Sequence, residues 1–341
     1  MSTITELPAT SSPEPEVSEA QSKSSWLTMA GVIIGVPVVL ILMLLAFLVP
    51  SLNSGASDLP LAVSGPEAAV SQMTGGLEQK QPGAFDVTTY STLEEARQSV
   101  IDRENIGAIS VGADGVSITV ASGAGTPYAS LLKQLGSGLE STGQTVTYED
   151  VAPLTSEDPT GSSIATLGLP LIFGGNVSAI LLITLFTKNP RLRVLGGLAI
   201  AVLGGFAVTA VMQFGLGVLD GNYLMTSFVL AMGIASISMT LIGLHNLMGM
   251  AGIGIAGVIL LFFSNPLSGL ATGAAWLPGI WGTIGQLMPI GAAGTAIRSA
   301  AFFGGHGYGM SLWVSAIWAI AGILLSVLTG RRAAKKAAQE A

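Results

Sequence analysis

Between residues 162 and 330 the chain places one acid, Asp220, and four bases, Lys188, Arg191, Arg193 and Arg298, in 169 positions. A soluble domain devotes about a quarter of its residues to charge, so this stretch has too little polarity to face water. In lipid every backbone amide must be satisfied internally, which leaves packed helices as the fold. Runs at 164–187, 194–219, 223–247, 250–264 and 309–329 read as spans, separated by 188–193, by Asp220-Gly-Asn and by His245-Asn246. An earlier uncharged run, 27–50, would be about 36 Å long as a helix, enough for a roughly 30 Å hydrocarbon core. It follows an acidic leader rather than a basic one, so it reads as an anchor and not as a cleaved signal peptide.

Six spans are therefore predicted. The bases of 188–193 and of the tail, Arg331, Arg332, Lys335 and Lys336, place both on the cytoplasmic side. Both termini are then inside and 51–161 outside, in a multi-pass protein of the cell (inner) membrane. The stretch 265–308 carries Pro266, Pro278, Pro289 and ten glycines, which break helices and leave backbone groups that need protein or water around them. We read it as two short half-helices entering and leaving from the outer face, with Arg298 at their polar exit. The leader 1–26 holds four Glu and one Lys among Ser, Thr and Pro, too polar to bury a core, and reads as disordered.

Residues 51–161 have soluble composition, with 14 acids against four bases and a net charge of −10. Period-two stretches at 59–64, 85–90, 107–111, 116–121 and 145–148 alternate with helical patterns after Gly65-Pro66-Glu67, after Ser91/Thr92 with Glu94 and Glu95, and over 127–139. The order β-α-β-α-β-β-α-β predicts a small α/β domain of about 100 residues. The fold class is thus a polytopic α-helical membrane protein of six spans, with re-entrant half-helices before the last, plus a small α/β extracytoplasmic domain. The segments are the leader 1–26, the first helix 27–50, the outer domain 51–161, the membrane domain 162–330 and the tail 331–341.

Several chemistries are excluded. With no cysteine there is no disulfide, thiolate nucleophile or cysteine metal site, and the formal charge of −7 argues against nucleic acid. No lysine lies in a G-x-x-x-x-G-K-[ST] loop and no G-x-S-x-G is present, so the chain is neither its own ATP motor nor a hydrolase. His245 and His306, 61 residues apart, build no metal site. We expect no enzyme activity, no cofactor and no metal. The spans also lack Asp, Glu, Lys and Arg except in their connections, which disfavours ion coupling. Asn176, Gln213 and Thr240 read either as inter-helix hydrogen bonding or as the lining of a lipid or amphiphile path. Arg298 suits an anionic headgroup or an outer-domain carboxylate, and His306 the outer mouth. The acidic pairs Glu94/Glu95, Glu149/Asp150 and Glu157/Asp158 read as solvated surface charge, because adjacent side chains diverge.

A Leu-Ala-Val strand followed by Gly-Pro, Phe-Asp-Val (85–87), Leu-Glu-Glu-Ala-Arg (93–97) and Arg-Glu-Asn-Ile-Gly-Ala-Ile (103–109) resemble the extracellular insert of the type-2 ABC permease superfamily, in its phage-infection-protein branch. Leu-Pro (277–278), Leu-Met-Pro (287–289), Gly-Ala-Ala (291–293) and Arg298 through Phe302-Phe303-Gly304-Gly305 are similar to that family's outer half-helices. The resemblance implies the membrane subunit of an exporter of a lipidic or amphiphilic substrate, a homo- or heterodimer among membrane lipids, powered by a separate cytoplasmic ATPase. It would place the ATPase contact at Lys188, Arg191 and Arg193. Family members carry a longer segment there, and this chain offers six residues. The alternative is a non-transporting scaffold or receptor whose outer domain binds envelope components or phage.

Overall fold

A computed structural model describes residues 17–340, with side chains described for 26–330. Two compact units divide the chain after Leu45. The first contributes most of α1 (Val17–Leu52), a helix that begins ten residues ahead of the apolar run. The leader expectation is corrected to that extent: once an apolar helix is nucleated, extending it by further residues needs no new nucleus, and Glu19, Ala20, Gln21 and Lys23 are acceptable helix formers. Residues 1–16 lie outside the described ones.

In the second unit, β1 (Leu59–Ser64), α2 (Glu67–Lys80), β2 (Phe85–Tyr90), α3 (Leu93–Ile101), β3 (Gly107–Gly112), β4 (Gly115–Val120), α4 (Thr126–Glu140) and β5 (Val146–Asp150) build the α/β part. The sheet order is β2-β1-β3-β4-β5; only β3 and β4 pair antiparallel, Gly112 opposite Gly115 closing their hairpin. Leu61, Val63, Ile109, Ile118 and Leu132 pack one face with α2 and α4. The opposite face is made of alanines, Ala62, Ala108 and Ala121, and takes α3 together with Phe303. Small residues on that face leave room for aromatic side chains arriving from 200 residues further along the chain.

The helical part consists of α5 (Ser162–Thr166), α6 (Gly168–Leu185), α7 (Pro190–Ala210) with a π-helical extension over Val211–Gly215, α8 (Tyr223–Met248), α9 (Met250–Gly257) with a π-helical extension over Val258–Ser264, α10 (Trp281–Gln286), α11 (Pro289–Phe302) and α12 (Gly309–Glu340). Among the described residues five helices are long and apolar enough to cross a membrane, over 26–52, 162–185, 190–215, 223–248 and 309–330. The chain thus has the mostly helical, multi-pass character of a membrane protein with a small mixed sheet. The 250–264 segment is shorter than the five others. Its first turn lies on Leu244, at the far end of α8, and its last residues reach Asn265, beside Gly168 at the start of α6.

α8 is the axis of this part, packed by α6, α7, α9, α11 and α12 and buried almost continuously from Thr226 to Gly243. Its closest neighbour is α12: a Cβ on Gly322 would stand 2.1 Å from the Met239 carbonyl oxygen, so only glycine allows the two backbones to touch. The α/β part is not a separate body. Residues 46–341 form one compact unit, in which the alanine face of the sheet is completed by Phe303 from the end of α11.

Candidate functional site

The α/β part meets the helices along a polar seam. Thr92 caps α3 by accepting from the Glu95 amide at 3.1 Å, while Glu95 accepts from the Ser91 amide at 3.0 Å, a reciprocal box that fixes the start of the helix. At its other end Arg103 takes a left-handed backbone, φ 64°, where glycine is usual and a residue with a Cβ costs roughly 1–2 kcal/mol. That turn sends the side chain into α11. Arg103 Nη1 donates to the Thr295 carbonyl at 3.0 Å and to Ser299 Oγ at 2.6 Å, and the guanidinium lies 4.9 Å from the Phe303 ring centroid. Burial pulls the Arg103 pKa down to about 10, which still leaves it charged at neutral pH.

Arg298, 4% exposed, stands on the same helix and donates from Nη1 to the Gly123 carbonyl at 3.0 Å and from Nη2 to the Leu270 carbonyl at 2.7 Å. Its partners are carbonyls and not the outer-domain carboxylate that the sequence suggested. Tyr128, in the first turn of α4, accepts from the Trp276 amide at 3.1 Å and meets its ring edge-on at 5.8 Å. Burial pushes the Tyr128 hydroxyl up to about 12, so it stays protonated. A Cβ on Gly125 would lie 2.5 Å from the Thr272 carbonyl oxygen, which makes the approach of the 122–125 turn to this loop dependent on glycine. Beyond α11, His306 Nδ1 lies 2.7 Å from Asp102 Oδ1, both about half exposed.

The α10–α11 hairpin is the partner surface of the seam. α12 starts beside Arg103, since Gly307 packs on that side chain. Trp318, nine residues into α12, donates its indole N–H to the Leu287 carbonyl at 2.9 Å. The turn between α10 and α11 therefore lies about 13 Å down α12 from the seam, and α11 climbs back to it. Ser264 Oγ accepts from the Ile290 amide at 2.9 Å and caps the returning helix.

At the opposite end of the bundle Arg193, 5% exposed, donates from Nε to the Phe186 carbonyl at 2.8 Å and from Nη2 to the Thr187 carbonyl, while Nη1 donates to Asn246 Oδ1 and lies 3.3 Å from His245 Nδ1. This one fork ties the 186–189 loop to the last turn of α8. Lys188 in that loop and Arg191 in the first turn of α7 are exposed.

The five residues read as a substrate path do not converge. Thr240 Oγ1 donates to the Ser236 carbonyl of its own helix at 2.6 Å. Gln213 Nε2 donates to the Gly221 carbonyl at 2.8 Å in the π-helical stretch, with its Oε1 buried and unpartnered, as is Asn176 Oδ1 on α6. Arg298 and His306 belong to the seam. Asp158 corrects the surface-charge reading: it is 5% exposed and accepts from the Ser162 and Ser163 amides at 3.0 and 2.7 Å, capping α5. Sequence reasoning missed Arg103 and Tyr128 as seam residues; the available signal was that Arg103 is one of only four bases in 51–161. No group of three or more metal-ligating side chains occurs among the described residues.

No family model, curated protein or solved structure matches the chain.

Proposed function

We propose that this protein is the membrane subunit of an exporter with type-2 ABC permease architecture. It crosses the cell membrane six times, holds its α/β part outside, and relies on a separate cytoplasmic ATPase to move a lipidic or amphiphilic substrate. The observation that carries this reading is the α10–α11 hairpin anchored on Trp318, a helix pair that enters and returns on the α/β side immediately before the last span. That is the arrangement the sequence resemblance implies. The 250–264 segment supports the sixth crossing, since its ends contact Leu244 and Gly168 at opposite ends of the bundle. In this reading Lys188 and Arg191 face the ATPase, Arg193 stiffens the 186–189 loop, and the substrate passes Asn176, Gln213 and Thr240, while Arg298 and His306 hold the seam. Two copies, or one copy and a related chain, enclose that route.

One observation favours the scaffold alternative. Arg193 spends its hydrogen bonds within the chain, which leaves Lys188 and Arg191 as the exposed bases of 188–193 for any motor to grip. Gentle affinity purification of the tagged protein from its native membrane, with mass spectrometry of everything retained, separates the two. A stoichiometric nucleotide-binding subunit supports the exporter. Its absence across several detergents, with envelope proteins retained instead, overturns it.

A further inference from the structure

Arg103, Arg298 and Tyr128 arrive at the seam from three elements, the end of α3, α11 and the start of α4. Arg103 bonds Thr295 and Ser299, which flank Arg298 on α11, and Arg298 in turn bonds the Gly123 carbonyl, just ahead of the first turn of α4 that carries Tyr128. Two guanidiniums in one desolvated seam repel, and a buried charge without a counter-charge is costly. Among the described residues neither meets a carboxylate. Two acids beside the seam residues are already engaged: Asp102, next to Arg103, with His306 and Gln98, and Asp150 with the Ser122 amide and hydroxyl and the Ala152 amide. Tyr128 keeps its proton and cannot supply the missing charge; its hydroxyl oxygen accepts from Trp276, which leaves its own O–H free to donate. Arg103 bonds α11 through Nη1, and among the described residues the edge carrying Nε and Nη2 makes no hydrogen bond. The first turn of α4 opens at the same place with no side-chain cap, and adds the positive end of its dipole. This is a set of donors and positive charge without its anion.

We propose that the Arg103–Arg298–Tyr128 cluster binds a phosphate-type oxyanion, from a lipid headgroup or as free phosphate, which fastens the α/β part to α11. Arginine suits this role because its planar fork matches phosphate oxygens two at a time. The site depends on no transport step, so it stands or falls independently of the exporter reading.

The test uses full-length protein in non-ionic detergent and in nanodiscs, reading the thermal unfolding midpoint. One arm adds sodium phosphate against sodium chloride at matched ionic strength; the other compares nanodiscs of phosphatidylcholine with nanodiscs containing phosphatidylglycerol. A ligand of the native state alone raises stability with concentration. Stabilisation by phosphate in detergent identifies free phosphate, and stabilisation by phosphatidylglycerol alone identifies a headgroup. In either case Arg103→Gln should need at least tenfold more anion for the same shift, and Arg103→Lys an intermediate amount. Arg298→Gln should lose the response entirely if it folds; Arg103→Gln, at a half-buried position, carries the test if it does not. No stabilisation beyond chloride in either arm, or an Arg103→Gln response equal to wild type, overturns the site.

Discussion

Gly322→Ala probes the contact on which the helical part is built. Its Cβ would stand 2.1 Å from the Met239 carbonyl oxygen and 2.3 Å from the carbonyl carbon, whereas ordinary contact begins at 3.4 Å. The clash is with backbone, which cannot swing aside like a side chain, so α8 and α12 must part by about 1.3 Å. Overpacking of this kind costs about 1–3 kcal/mol, and a backbone obstacle belongs at the upper end. Alanine returns up to about 1 kcal/mol through helix propensity. The expected net loss is about 2 kcal/mol. Gly330→Ala in the same helix meets nothing within 4 Å and serves as the control; it should be neutral or slightly stabilising. Reversible unfolding of the full chain in mixed micelles reads both. A Gly322→Ala protein as stable as Gly330→Ala would refute the close α8–α12 crossing.

Three further substitutions extend the account. Arg193→Lys should not rescue Arg193→Ala, because an ammonium cannot reach the Phe186 and Thr187 carbonyls and Asn246 together; both should lose about 2–4 kcal/mol in the same unfolding assay, and full rescue by lysine would contradict the clamp. Gly125→Ala, at an extended φ of 164° that any residue adopts, isolates the steric effect at Thr272, and limited proteolysis should show the α/β part released more readily; unchanged cleavage would count against a tight seam. Asp158→Asn tests the α5 cap. Burial pushes the Asp158 pKa up, but hydrogen bonds from Ser163 and Ser162 outweigh it and hold the group below the usual carboxylate range. A depressed folded pKa gives stability that is present above the unfolded value of about 3.9 and is lost as pH falls through the folded one. The variant should therefore lose about 1–3 kcal/mol at pH 7, with the gap to wild type narrowing below about pH 4; a gap independent of pH would show the carboxylate plays no such part.

The elements of the α/β part were legible because their signals are local. Gly65-Pro66 opens α2, Thr92 with Glu95 boxes α3, and Asp114-Gly115 turns β3 into β4, each within a few residues. The break of 265–308 into short helices was legible for the same reason, through prolines and glycines that interrupt an apolar run. The seam was not. Arg103 finds its partners 192 and 196 residues later, and they are a carbonyl and a hydroxyl, which carry no complementary charge to search for. Arg193 was read with Lys188 and Arg191 as an ATPase contact; three acceptors brought together by the fold bury it instead. Asp158 was read as solvated because neighbouring acids diverge, and that divergence is what lets Asp158 turn inward onto α5 while Glu157 stays at the surface.

Cysteine accessibility tests the six-crossing architecture most directly, and the chain contains no native cysteine to remove. Single substitutions at Lys133 on α4, at Ala271 beyond the 250–264 segment, at Lys188 in the loop before α7 and at Met250 at the start of α9 occupy exposed positions. In intact cells a membrane-impermeant maleimide should label Lys133→Cys and Ala271→Cys, and should reach Lys188→Cys and Met250→Cys only after permeabilisation. Labelling of Met250→Cys and Ala271→Cys from the same side would show that 250–264 does not cross, and the permease architecture would fall with it.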